Sequence, residues 1–264
     1  MTPVSLEERL MHIKEAKRTL GSRFDWICDS MENELKLAMG GAPNSEWVID
    51  PEGIIVRRRD WSNADELRKD LTELIGPTEE PTRVEDLDLP AAPPLATAAS
   101  GVVERLEREE GMRALKVDHT KSKENEPFYA KLRAEGSSGM IEEGGGRLYL
   151  RFMMDPLYKV YWNNKVDPIK VRIETPEKIT VTPSTLTGST VTSADSDIDP
   201  REFLVDVSGV EEGESITLKA YYFACTDLWC RPMTQEYVVN FELDRDGGSV
   251  ISNDMHRRMD RMKK

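Results

Sequence analysis

Two cysteines carry the chemistry that this sequence most plainly offers. Cys225 and Cys230 stand in the stretch Tyr221-Tyr222-Phe223-Ala224-Cys225-Thr226-Asp227-Leu228-Trp229-Cys230-Arg231-Pro232. Before them Ile216, Leu218, Ala220 and Tyr222 alternate with Thr217, Lys219 and Tyr221; after them Tyr237, Val239 and Phe241 alternate with Val238, Asn240 and Glu242. Period-two alternation on both sides predicts a β-hairpin with the cysteines at its mouth. Facing residues of an antiparallel pair have Cα atoms about 4.5 to 5.5 Å apart, within the range a disulfide tolerates, so the two sulfurs can bond without moving the backbone. A reversible dithiol is one use of such a pair. A structural staple is another, although closing a loop of six residues stabilises by only roughly 2 kcal/mol. Zinc is a third, but the pair lacks two further ligands, and His119 and His256 show no ligand spacing with it. Close by, Arg231 favours a thiolate by charge, Asp227 opposes it and Trp229 can shield the sulfurs from solvent. Redox exchange is therefore the expected use. It requires two mutually reachable sulfurs and no metal or nucleotide.

The elements that must position this pair are legible in part. At 264 residues the chain suits two modest domains. A net charge of -13 gives a field that repels nucleic acid, and no apolar run approaches the roughly 20 residues needed to span a bilayer. Met1 to Leu20 is charged and helical in period, unlike a signal peptide. Ser5 with Glu8 forms a capping box for a helix carrying Leu6, Leu10, Ile13, Ala16 and Leu20 and ended by Gly21. Phe24 to Cys28 is a short apolar run in which Cys28 is expected to be buried and inert, and a second short helix is expected over Met31 to Met39. Trp47-Val48-Ile49, the turn Asp50-Pro51-Glu52-Gly53 and Ile54-Ile55-Val56 predict a hairpin, followed by a helix from about Ala64 to Ile75.

An acidic, Pro-rich stretch leads to Pro90-Ala91-Ala92-Pro93-Pro94, and residues 101 to 135 read as charged helix. Gly144-Gly145-Gly146 reads as a flexible lead into strand-like alternation at Leu148 to Met154, Ile169 to Ile173, around Val181 and at Phe203 to Val207. At least six strands without a convincing helix predict an antiparallel immunoglobulin-like sandwich. Asp195, Asp197 and Asp199 imitate a calcium loop, yet Pro200 stands where its glycine belongs; an acidic surface loop is the expectation. The basic tail to Lys264 is expected to be a solvated terminus.

Two resemblances sharpen these expectations. Ala42-Pro43-Asn44-Ser45-Glu46-Trp47-Val48-Ile49-Asp50-Pro51-Glu52-Gly53-Ile54-Ile55-Val56, with Asp60-Trp61 and the closing helix, resembles the second half of a redoxin or peroxiredoxin-like thioredoxin fold. That likeness implies a proline at position 43 just before the hairpin, often cis, and a redox cysteine motif that would lie upstream of Met1. Tyr158-Lys159-Val160-Tyr161-Trp162-Asn163-Asn164 and Ala224-Cys225-Thr226-Asp227-Leu228-Trp229-Cys230-Arg231-Pro232, with Thr234-Gln235, resemble the amino-terminal domain of the DsbD thiol:disulfide interchange reductases. The likeness covers about residues 145 to 245. It implies a sandwich outside the cytoplasm, in the periplasm, that takes electrons from a thioredoxin-like donor and passes them to oxidised protein acceptors. It further implies that Cys230 forms the mixed disulfide and Cys225 resolves it, with Tyr161, Asp227, Trp229 and Arg231 around them.

The expectation is thus an α+β chain in two domains: a truncated thioredoxin-like region over 1–76, a linker with a charged helical segment over 77–143, a DsbD-like sandwich over 144–246 and a basic tail over 247–264. The expected function is thiol-disulfide exchange with proteins. The rival is a non-enzymatic sandwich that binds protein and uses its disulfide only to pin the hairpin.

Overall fold

The computed structural model describes residues 3–40, 44–80, 82–87, 98–120 and 127–244. Pro43, most of the Pro-rich stretch, His256 and the basic tail lie outside the described residues. The chain divides into two compact units, Ser5–Pro93 and Pro94–Lys264 with Met1–Val4.

The first unit opens with α1 (Leu6–Thr19), where the Ser5 hydroxyl accepts from the Glu8 amide at 3.2 Å and Gly21 adopts a φ of 60° just beyond the end. Helix α2 (Glu34–Ala38) is shorter than expected, and the Phe24 to Cys28 run forms no strand. Strands β1 (Glu46–Ile49) and β2 (Ile55–Arg59) pair antiparallel across Asp50-Pro51-Glu52-Gly53, with Gly53 at a φ of 86° and a register shift at Val48/Ile49. A type I turn followed by a left-handed glycine makes such a bulged hairpin. Helix α3 (Ala64–Ile75) follows, its amides at Asp65 and Glu66 capped by the Asn63 side chain. What this unit buries is unusual. Its buried side chains among the described residues are Glu8, Glu46 and Asp70, and no apolar side chain joins them. Arg59 pairs with both Glu46 and Asp70, and Ser62 donates to Glu46 at 2.9 Å, so a charged knot ties β1, β2 and α3. The expected apolar stripe of α1 stays open, with Leu6, Leu10 and Leu20 exposed; Phe24 and Ile27 are exposed too. Cys28 is half-buried rather than enclosed, because no strand carries it into a core.

The second unit is nearly all strand. Among the described residues of 101–135 there is no helix: β3 (Arg113–Thr120) and β4 (Ala130–Gly136) stand there instead, and both join the main sheet. On β3 Lys116 pairs with Glu242, whereas β4 is covered on both faces: its Lys131 and Glu135 are buried, paired with Asp155 and with Arg108 and Arg133. The remaining strands are β5 (Gly145–Met154), β6 (Trp162–Asn163), β7 (Lys170–Glu174), β8 (Thr180–Thr182), β9 (Thr185–Thr187), β10 (Ser196–Asp197), β11 (Arg201–Ser208), β12 (Ser215–Cys225) and β13 (Cys230–Leu243). With β6 and β10 pairing separately, the other nine strands from β3 to β13 form one antiparallel sheet in the order β8-β11-β5-β4-β3-β13-β12-β7-β9. Laid flat, its edges would stand about 38 Å apart. Yet only Pro183 and Ser184 separate β8 from β9 in the chain, a connection that reaches about 10 Å. The sheet must therefore curl until its two ends meet. Leu148, Leu150 and Phe152 from β5 then share one core with Ile216 and Leu218 from β12 and Tyr237, Val239 and Phe241 from β13. Gly145 and Gly146 of the glycine run are ordered strand rather than a loose lead: Gly145 pairs with Ser208, and a Cβ there would stand 2.6 Å from the Val207 carbonyl oxygen.

Candidate functional site

β12 and β13 run side by side from Ser215↔Asn240 to Cys225↔Cys230, so the cysteines face each other at the end of a long ladder. They are bonded, with Cα atoms 4.0 Å apart. Backbone direction explains the close approach. Cys225 spends its amide and carbonyl on Tyr161, donating at 3.3 Å and accepting at 2.9 Å, so they point away from Cys230. Cys225 and Cys230 thereby form the non-hydrogen-bonded kind of antiparallel pair, in which Cα atoms and side chains lie closest.

The connection between the strands is Thr226-Asp227-Leu228-Trp229. No glycine shapes it. Instead the Thr226 hydroxyl accepts from the Leu228 and Trp229 amides, each at 3.2 Å, while the Thr226 amide donates to the Trp229 carbonyl at 2.7 Å. This turn leaves the two sulfur-bearing residues in different surroundings. Cys225 is 1% exposed, whereas Cys230 is exposed, and Leu228 at the tip is 93% exposed.

The flanking side chains pair with one another. Tyr161 donates its hydroxyl to Asp227 at 3.3 Å, and burial followed by the Asp227 charge raises the phenol above its usual range, keeping the proton on Tyr161. Arg231 lies over the Trp229 ring at 4.7 Å, and the other neighbour of that ring is Tyr129 at 5.7 Å. The Tyr161 backbone thus bridges to Cys225 and its hydroxyl to Asp227, while Trp229 and Arg231, on either side of Cys230 in the chain, pair with each other. Tyr129 was not legible as part of the group, because it reaches Trp229 from the strand end at Ala130, far away in sequence.

His119 stands apart from the pair; its ring packs edge-on against Phe128 at 5.0 Å and Tyr237 at 5.3 Å. Among the described residues no group of three or more His, Cys, Asp or Glu side chains could hold a metal ion. The three aspartates do not make a surface loop. Asp197 is fully buried and grips Arg201 through both oxygens, at 2.8 and 2.9 Å. Asp199, also buried, accepts the successive amides of Gly101, Val102 and Val103 at 2.8, 2.7 and 2.9 Å. Only Asp195 remains outside, paired with Lys165. Compared with protein-family models, curated proteins and solved structures, the chain matches none.

Proposed function

We propose that this protein exchanges disulfides with protein partners through Cys225 and Cys230. The observation that carries the reading is their asymmetry: a bonded pair at a hairpin end, one member exposed and the other buried. Exchange needs one sulfur that a partner can reach and a second that only its neighbour can reach. In the reduced chain the Cys230 thiolate attacks one sulfur of a partner disulfide; a Cys230–partner bond forms, and the partner's other sulfur leaves as a thiolate and takes up a proton. Cys225, its proton passed to water, then attacks the Cys230 sulfur. The mixed disulfide breaks, the Cys225–Cys230 bond forms, and the partner departs as a dithiol carrying two electrons. A thioredoxin-like dithiol donor reverses these steps and restores the reduced chain.

The fuller architecture belongs to the same proposal. The curl of the sheet around one shared core supports an immunoglobulin-like sandwich. The hairpin and closing helix of the first unit support a redoxin-like half. The sequence resemblance to the DsbD domain implies that this exchange takes place in the periplasm.

Equilibration in glutathione buffers tests the function. A pair that becomes reduced between about -180 and -300 mV fits exchange, whereas one still oxidised well below about -300 mV is a staple and ends the proposal. The staple reading finds little support in the hairpin itself, because the ladder from Ser215 to Cys225 already pins both strands.

A further inference from the structure

We propose that Leu228, at the tip of the cysteine hairpin, is the side chain on which a partner docks: it enters an apolar recess beside the partner's own reactive sulfur and so favours a protein dithiol over a small thiol. The inference rests on the exchange reading above. Leu228 is the most exposed of the large apolar side chains among the described residues, at 93%. A single exposed leucine is ordinary on a protein surface. This one is set apart by how it is held and by what stands next to it.

The backbone on both sides of Leu228 is fixed. Its own amide and that of Trp229 donate to the Thr226 hydroxyl, each at 3.2 Å, and the Thr226 amide donates to the Trp229 carbonyl at 2.7 Å. Asp227, the residue before it, accepts from the Tyr161 hydroxyl at 3.3 Å, and Cys225 exchanges both backbone hydrogen bonds with Tyr161. Turns of this length draw on Gly, Asn, Asp and Ser, and Thr226 with Asp227 supplies that chemistry here. Nothing in the turn calls for leucine at its third position. An apolar side chain on a backbone already ordered loses little freedom when a partner covers it.

Exchange brings a partner sulfur to about 2 Å from that of Cys230, the exposed member of the pair. Leu228 is two residues from Cys230, so their Cα atoms are at most about 7.6 Å apart. Even a weak redox encounter buries up to about 600 Å² on each partner, a patch roughly 14 Å in radius around the reacting sulfurs. A protein attached at Cys230 therefore covers Leu228 as well. The surface it meets continues through half-buried Trp229 and exposed Arg231, whose guanidinium stands 4.7 Å from the Trp229 ring centre; both residue types are favoured at interfaces. The recess facing Leu228 has to be apolar, because polar groups pressed against it would lose water without a hydrogen bond in return. Glutathione is small enough to reach Cys230 and leave Leu228 in water.

The test mixes the oxidised full chain with reduced thioredoxin and follows thioredoxin oxidation. A thioredoxin thiolate attacks the Cys230 sulfur, the Cys225–Cys230 bond breaks, and Cys225 leaves as a thiolate and takes up a proton. The second thioredoxin cysteine, its proton passed to water, then displaces Cys230, and two electrons have moved to the chain. Leu228→Ser is expected to lower the second-order rate constant about tenfold, while its rate with glutathione and the potential of its pair hold. Leu228→Met, which keeps an apolar side chain, is expected to stay within about twofold of the unaltered chain. Neither substitution reaches the core, since the side chain stands in water. An unchanged thioredoxin rate in Leu228→Ser, or an equal fall with glutathione, overturns the inference. So does an unaltered pair that glutathione reduces and thioredoxin does not. The exchange reading is judged separately, on the potential of the unaltered pair.

Discussion

Cys225 and Cys230 are the same chemical group in two environments, and that difference makes a directional prediction. If the exposed sulfur is the one that partners meet, Cys225→Ser should accumulate a covalent complex with an oxidised thioredoxin-like protein, because nothing remains to release it. Cys230→Ser should form none. Non-reducing electrophoresis with mass spectrometry reads both, and complexes trapped through Cys225 instead would reverse the assigned roles. Away from the cysteines, the residue with most at stake is Asp197. It is enclosed with Arg201, whose guanidinium also donates to the Asp199 carbonyl at 2.9 Å and stands 5.1 Å from the Trp162 ring centre. Removing one partner of a buried pair leaves the other charge uncompensated, so Asp197→Ala should destabilise the fold by about 3 to 5 kcal/mol. Urea unfolding measures it; a loss below about 1 kcal/mol would mean that Arg201 finds water or another partner. The surface-loop expectation for this stretch failed because its spacing carries no sign of the arginine that draws Asp197 inward.

Among the elements, the segment over residues 98–110 has no strand or helix of its own for most of its length and is fastened to the sheet by carboxylates. Asp199 takes three of its amides, Glu202 takes the Leu106 amide and the Arg105 side chain at 2.8 Å each, and Arg108 pairs with Glu135 at 2.7 Å. Beneath it Tyr149 donates to Glu202 at 2.6 Å, and burial with that carboxylate pushes its phenol up to about 12. Burial alone would raise both carboxyls, but the backbone amides and Arg201 hold Asp199 below its usual range, and Arg105, Tyr149 and the Leu106 amide do the same for Glu202. Depressed carboxyls contribute stability in full above their unfolded values, near pH 4, and lose it as the pH falls through the folded values. The strap should therefore loosen below about pH 4. Hydrogen exchange at residues 101–106 should accelerate there, and Asp199→Asn with Glu202→Gln should flatten that dependence; exchange insensitive to acid would show that charge does not fasten the strap. None of this was legible in sequence, because the pairs join residues far apart along the chain. The strands were legible where one face is apolar, as at Leu148 to Met154, and hidden in β3 and β4, whose many charges, the buried Lys131 and Glu135 among them, read as those of a charged helix.

For the whole molecule, the two halves of the chain obey different rules. The cysteine hairpin could be read because its signals are local: alternation on each strand and a short polar turn between them. The curl that gives it a core could not, since it follows from β8 and β9 lying at opposite ends of the sheet while adjoining in sequence. Nor did the sequence reveal that α1, β1, β2 and α3 bury charge instead of apolar side chains. That contrast predicts how the halves behave when separated. Burial of apolar surface drives folding at about 25 cal/mol per Å², and an isolated two-stranded hairpin is marginal in water. Residues 94–264 hold a shared apolar core and should fold alone with a cooperative thermal transition. Residues 5–93 enclose only Glu8, Glu46 and Asp70 among their described side chains and expose Phe24, Ile27, Ile54 and Ile75. Expressed alone, they should show weak helicity, a broad non-cooperative melt and binding of a hydrophobic dye. A sharp transition from that fragment would show that its charged knot suffices as a core.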